Sequence, residues 1–177
     1  MSVPAADARG THRTGRTRMN EAATPLETTH GFAPPTVVQF SVFLVNKVGK
    51  LLDLVENFDE ASCSICAISV HESSDHAVVR VITNNAAEAR KLLREDGLPF
   101  GEHEVLVVSL GPGYSLSRLC LHLLGAEINI AFAYPLMIKP NGAPTIAIAV
   151  DDHTLAGQIL RRKGFTLLGE ADLPRMP

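Results

Sequence analysis

The 177-residue chain has no tryptophan, and only seven phenylalanines and two tyrosines. That scarcity excludes an aromatic platform on which successive bases of a single strand could stack. Excess charge of one sign is also lacking. Sixteen Lys and Arg against 19 Asp and Glu leave a net charge of −3, too little to imply nucleic acid or another polyanion as a partner. No apolar run approaches the roughly 18–20 residues of a membrane-spanning helix, so no membrane partner is expected. The N-terminus lacks the apolar segment of a secretory signal. Cysteine is confined to Cys63, Cys66 and Cys120, an odd number without the spacing of a disulfide framework, and a reduced, cytoplasmic compartment is expected. No Ser–His–Asp grouping, carboxylate pair or phosphate loop is legible. Gly111-Pro112-Gly113 lacks the third glycine of a dinucleotide fingerprint. Neither enzymatic activity nor a cofactor or metal is therefore expected.

What is present is foldable material, 46% hydrophobic and 20% charged, enough for one domain or two small ones sharing a core. Residues 1–35 differ from the rest. They are rich in Thr, Ala, Gly, Pro and Arg without a periodic apolar face, which predicts a disordered tail. Arg9, Arg13, Arg16 and Arg18 make it basic, but Pro4, Gly10 and Gly15 spoil the amphipathic helix of a transit peptide. Met19 is a second candidate start.

From Val37 onward the chain states one pattern twice. Val38–Val45 reads as a strand, Asn46-Lys47-Val48-Gly49 as a turn, and Leu51, Leu54, Val55 and Phe58 as one helix face at spacing i, i+3, i+4, i+7. Strands follow at Cys63–His71 and His76–Thr83, separated by a Glu72–Asp75 turn. Asn84 or Asn85 caps a helix with Ala89, Leu92 and Leu93 inward and Gly97 at its end. Phe100–Glu104 is a short strand running into Val105. The second copy runs Val105–Leu110, the Gly111–Gly113 turn, a helix face of Leu116, Leu119, Cys120 and Leu123, and a strand over Ile128–Ile138. An Asn141-Gly142 turn, a strand at Thr145–Val150, a helix capped by Asp151 or Asp152 and a last strand at Phe165–Leu168 complete it. Cys63 and Cys66 lie three apart on a predicted strand and so point to opposite faces, which reads as two core thiols.

Each copy is β-α-β-β-α-β, the ferredoxin-like unit. The expected class is α+β: two such repeats, 36–104 and 105–173, their antiparallel sheets paired edge to edge with the helices on one face.

The run strand–Asn46-Lys47-Val48-Gly49–helix–strand, followed by strand–Gly111-Pro112-Gly113–helix–Glu127-Ile128-Asn129-Ile130, resembles the ACT domain, a small-molecule-binding module of amino-acid metabolism. The chain is similar to a tandem ACT pair over about Val37 to Leu173. That resemblance implies a ligand between two domains, held by the turn after the first strand of one and the start of the second strand of the other. Carried over, one site comprises Asn46, Lys47, Val48, Gly49, Lys50 and Leu51 with Asn129 and Ile130. A weaker reciprocal site would use Leu110, Gly113, Tyr114 and Ser115 with Ser64 and Ile65. Val48 stands where the family has proline, Leu110 where it has a polar residue, and Ser64 where it has asparagine.

The chemistry of the first site suits a free amino acid. A helix start at Lys50 offers N–H groups and a positive dipole end to a carboxylate. Gly49 permits close backbone approach, and the amide oxygens of Asn46 and Asn129 can accept from an ammonium. The residues are also compatible with a plain alternative, in which Gly49 and Gly113 only make tight turns and Asn129 caps backbone. Tyr114 either lines the second site or packs on the sheet. The resemblance implies a non-enzymatic regulatory protein, a homo-oligomer, that binds an amino acid and modulates a partner enzyme. The small subunit of acetolactate synthase is one such arrangement. The other reading is an interaction module of the same fold without a retained ligand site.

Overall fold

The computed structural model describes Met1 and residues 33–174 other than 62 and 74, so the tail expected over residues 1–35 lies outside the described residues up to 32. The elements follow the duplicated pattern. The first repeat contains β1 (Val37–Val45), α1 (Lys50–Asp59), β2 (Ile65–Ser73), β3 (His76–Thr83) and α2 (Ala86–Glu95). β4 (Phe100–Ser109) comes next, then α3 (Leu116–Leu124), β5 (Ile130–Pro135), β6 (Thr145–Val150), α4 (His153–Arg162) and β7 (Thr166–Leu168).

All pairings are antiparallel, and the strands form one seven-stranded sheet in the order β2-β3-β1-β4-β6-β5, with β7 also on β4. The fold is α+β, two ferredoxin-like βαββαβ repeats. The two sheets meet through a shared strand. The first part of β4 pairs β1, from Phe100 opposite Val42 to Val105 opposite Val37. The second part pairs β6 and β7, with Leu106 opposite Ile148 and Val107 opposite Leu168. The Glu104/Val105 division drawn from sequence thus falls inside a continuous strand. Just past β5, the Met137 N–H donates to the Cys66 carbonyl of β2 at 2.9 Å, so the far edges of the sheet also touch.

The period-2 alternation of strands gives each repeat two different faces. On one, Phe40, Val42, Leu44, Val79 and Val81 pack against Leu54 and Phe58 of α1 and Ala89 and Leu93 of α2. In the second repeat Leu106, Val108, Ile146 and Ile148 pack against Leu119 and Leu123 of α3 and Ala156 and Leu160 of α4. The opposite faces of both repeats close on a common third core: Val37, Ala67 and Ile82 from the first, Tyr134, Ala147, Ala149 and Leu168 from the second, with Val105 and Val107 of β4 between them. Full burial of one such large apolar side chain contributes about 1.5–3 kcal/mol. Cys63, expected on the strand, lies before β2 and packs in the α1/α2 core, while Cys66 of β2 lies in the common core. Burial, with Cys63 nearby, pushes the Cys66 thiol up to about 11.

Three expectations need correction. Cys120 is exposed, because Leu119 and Leu123 are the α3 residues turned to the sheet, leaving Leu116 and Cys120 on its flank. The strand expected over Ile128–Ile138 is limited to Ile130–Pro135. Asn141-Gly142 does not close a tight hairpin. Both residues have positive φ, 56° and 75°, but they lie in a short 3-10 turn, Pro140–Gly142, within a longer connection from β5 to β6.

Candidate functional site

The first turn leaves the sheet at the end of β1. Asn46 is held within its own repeat: its backbone N–H donates to the Asp75 carbonyl at 2.9 Å and its amide to Glu72 Oε1 at 3.0 Å. The Lys47 N–H turns back to the Val45 carbonyl at 2.8 Å. Gly49 then adopts φ 93°, a left-handed conformation in which a Cβ is strained, and α1 begins at Lys50. Residues 46 to 51 are all exposed, Val48 completely so. Lys50 Nζ meets Asp53 at 2.7 Å, an exposed pair of small energetic weight. Lys50 and Asp53 also edge a shallow groove of about 240 Å³, floored by Leu44, Leu54 and Leu98 and bridged by Asn57 donating to Asp96 at 2.6 Å.

The helix starts differ. Asn85 accepts from the Glu88 N–H at 3.1 Å, Ser115 from Arg118 at 3.2 Å and Asp152 from Leu155 at 2.8 Å, so α2, α3 and α4 are capped by their own side chains. The N-cap of α1 is Gly49, with no side-chain cap.

The strand residues of the site are held by a clasp that both repeats share. The Ser64 N–H donates to Asn84 Oδ1 at 2.8 Å, and the Asn84 N–H returns to the Ser64 carbonyl at 3.3 Å. In the second repeat the Asn129 N–H donates to Asp151 Oδ1 at 3.2 Å, and the Asp151 N–H returns to the Asn129 carbonyl at 3.3 Å. Asn84 and Asp151 therefore fasten the start of the second strand, while Asn85 and Asp152 do the capping. Ile65 is buried in the first repeat. Ile130 packs partly buried in the second. These bonds tie Asn46 to the β2–β3 end of the first repeat and Asn129 to Asp151 of the second, each within its own half.

At the second turn the Leu110 N–H donates to the Pro144 carbonyl at 2.7 Å, and Arg118 reaches back to the Gly113 carbonyl at 3.0 Å. Tyr114 packs edge-on against Phe165, with ring centroids 5.0 Å apart, so its ring belongs to the α3/α4 core.

Sequence reasoning missed a polar set on the face opposite the helices. Gln39 is fully buried and donates to Ser41 Oγ at 2.9 Å, and the Tyr134 hydroxyl donates to Gln39 Oε1 at 3.1 Å across the two repeats. Burial pushes the Tyr134 phenol well above its usual range, with the Arg80 charge opposing the shift. The signal in the sequence was Gln39 and Ser41 breaking an apolar strand at alternate positions.

The fold is that of two ferredoxin-like modules joined in one chain. The model of the ACT domain pair matches residues 35–176, and the chain belongs to that family. Its members are regulatory, ligand-binding modules in general. Among solved structures it is similar to protein BT0572 from Bacteroides thetaiotaomicron: 22% identity, 79% of this chain and 96% of that one covered, TM-score 0.69. It also matches an unknown protein from Galdieria sulphuraria at 13% identity over 75% of this chain and 96% of that one, with a TM-score of 0.36. No curated protein matches the chain. No helix among the described residues is long and apolar enough to cross a membrane.

Proposed function

We propose that the protein is a cytoplasmic, non-enzymatic regulator that binds an amino acid at the Asn46–Leu51 turn, completed by Asn129 and Ile130 across an interface between repeats, and so modulates a partner enzyme. The observation that carries this is the uncapped start of α1 beside an exposed asparagine, where the other three helices supply their own caps. The Lys50 N–H already donates to the Lys47 carbonyl, so an incoming carboxylate would accept from the Leu51 and Leu52 N–H groups and meet the positive end of the helix. The second turn, where Ser115 already caps α3 and Arg118 covers the Gly113 carbonyl, would be the weaker site. A thermal-shift screen of the full chain against the common amino acids at millimolar concentration tests this. At 100 times the dissociation constant, linkage gives about 2.7 kcal/mol of stabilisation. We expect a hit that Asn46→Ala abolishes and Ser115→Ala leaves intact; a flat screen would refute it.

Self-association is part of the same proposal. Leu116, Leu121 and Leu124 stand exposed on α3 around Cys120, an apolar face that a second copy would cover. Sedimentation should show a dimer that Leu121→Lys converts to monomer, and a monomeric parent protein would sink the idea. That apolar face also favours the second reading, an interaction module without a ligand, in which assembly would proceed unchanged by any amino acid.

A further inference from the structure

On the face turned away from α1 and α2, one row of the sheet is polar. Ser69 of β2 stands opposite Arg80 of β3, Arg80 opposite Ser41 of β1, and Ser41 opposite Gly101 of β4. Arg80 is only partly exposed and its Nε is sealed from solvent. Among the described residues that Nε has no hydrogen-bond acceptor. Its guanidinium carbon lies 4.3 Å from the ring centroid of Phe132, on β5 of the other repeat. The cation–π contact offsets part of the hydration lost on burial, but it uses none of the five N–H donors.

The surroundings are built for an acceptor. Ser41, itself buried, takes the Gln39 amide hydrogen on its oxygen, and its hydroxyl proton has no acceptor among the described residues. Gly101 leaves the row open, since a Cβ there would meet only His103, at 3.9 Å. Farther along the same face come Phe43, opposite Val78, and Val45; Phe43 and Val45 are 44% and 49% exposed. A half-buried cation with an unpartnered Nε–H therefore adjoins uncovered apolar surface.

We propose that this row is an oxyanion site for a small organic carboxylate. The Arg80 guanidinium and the Ser41 hydroxyl hold the carboxylate, and the apolar body lies over Phe43. Sulfate or phosphate would satisfy Arg80 but leave Phe43 uncovered, which favours the organic acid. Because Phe132 belongs to the second repeat and Arg80 to the first, occupancy would fasten the two repeats together. The site uses no residue of the Asn46–Leu51 turn and stands independently of it.

The test is a titration of the full-length, nitrogen-15-labelled protein with 3-phenylpropionate, acetate and sulfate at constant ionic strength, following the Arg80 Nε–H resonance. We expect a saturable shift with 3-phenylpropionate, with acetate and sulfate weaker. Arg80→Gln should weaken 3-phenylpropionate binding about tenfold or more in a thermal-shift assay, the loss of a charge-assisted contact. Asn46→Ala should leave it unchanged. Because the resonance is read on the unaltered protein, a poorly folding Arg80→Gln chain does not remove the test. No saturable shift with any probe would overturn the proposal, as would sulfate binding as tightly as 3-phenylpropionate, or loss of binding in Asn46→Ala.

Discussion

Leu106→Ala should lower the stability of the whole chain by about 2–5 kcal/mol, the range for emptying a packed leucine site. Leu106 is fully buried, in the core with Leu119, Leu123 and Ile148, and it lies next to Val105, where β4 passes from β1 to β6. The folded state of a chain of this size lies only about 5–15 kcal/mol below the unfolded state. At about 2–4 °C per kcal/mol, the melting temperature should fall by about 4–20 °C. The shape of the transition matters as much as its position. The first repeat borrows β4 as its edge, and the common core draws on both repeats. Calorimetry should therefore show one transition, moved as a unit. Two separated peaks, with only the second displaced by Leu106→Ala, would show that the repeats fold independently.

Gly157→Leu should cost about 1–3 kcal/mol for a reason that helix propensity alone would miss. Glycine within a helix is ordinarily about 1 kcal/mol worse than alanine, so a larger residue would be expected to help. At Gly157 of α4, however, a Cβ would fall inside the van der Waals radius of the Pro34 ring, and Leu167 lies 3.4 Å away. Pro34 is itself buried, so the chain before β1 rests on α4 where this glycine leaves room. Denaturant unfolding should show the loss, and Pro34→Gly in the same chain should recover part of it. An unchanged midpoint for Gly157→Leu would mean that Pro34 moves aside at no cost.

Much of this architecture was legible because the residues repeat a simple grammar. Leu54 and Phe58 on one helical stripe, positive-φ glycines after strands, and Asn85 and Asp152 as caps each follow from local chemistry. What escaped depends on partners distant in sequence. Phe100–Glu104 reads as a weak separate strand because Glu102, His103 and Glu104 are polar, yet β1 pairs with it along its length and makes it the first half of β4. Cys120 sits between two stripes of α3, and only the placement of Leu119 and Leu123 on the sheet decides that it faces outward. Asn84 and Asp151 look like redundant caps until their bonds to Ser64 and Asn129 are seen. Arg80 reads as an ordinary strand cation, since nothing local announces that Phe132 will cover it. At the candidate site the turn was legible, but the partner strand depends on how repeats or copies come together.

The continuous β4 also sets a rule of parity. Val105 and Val107 point into the common core, while Leu106 and Val108 point to α3 and α4. Inserting one residue between Glu104 and Val105 would reverse that assignment for everything downstream relative to β1, turning the second repeat inside out. Two inserted residues would preserve it. Unless a bulge absorbs the extra residue, as the register shifts in β2 and β5 do, length changes at this junction are therefore restricted to even numbers, a constraint that a flexible linker between two separate modules would not impose.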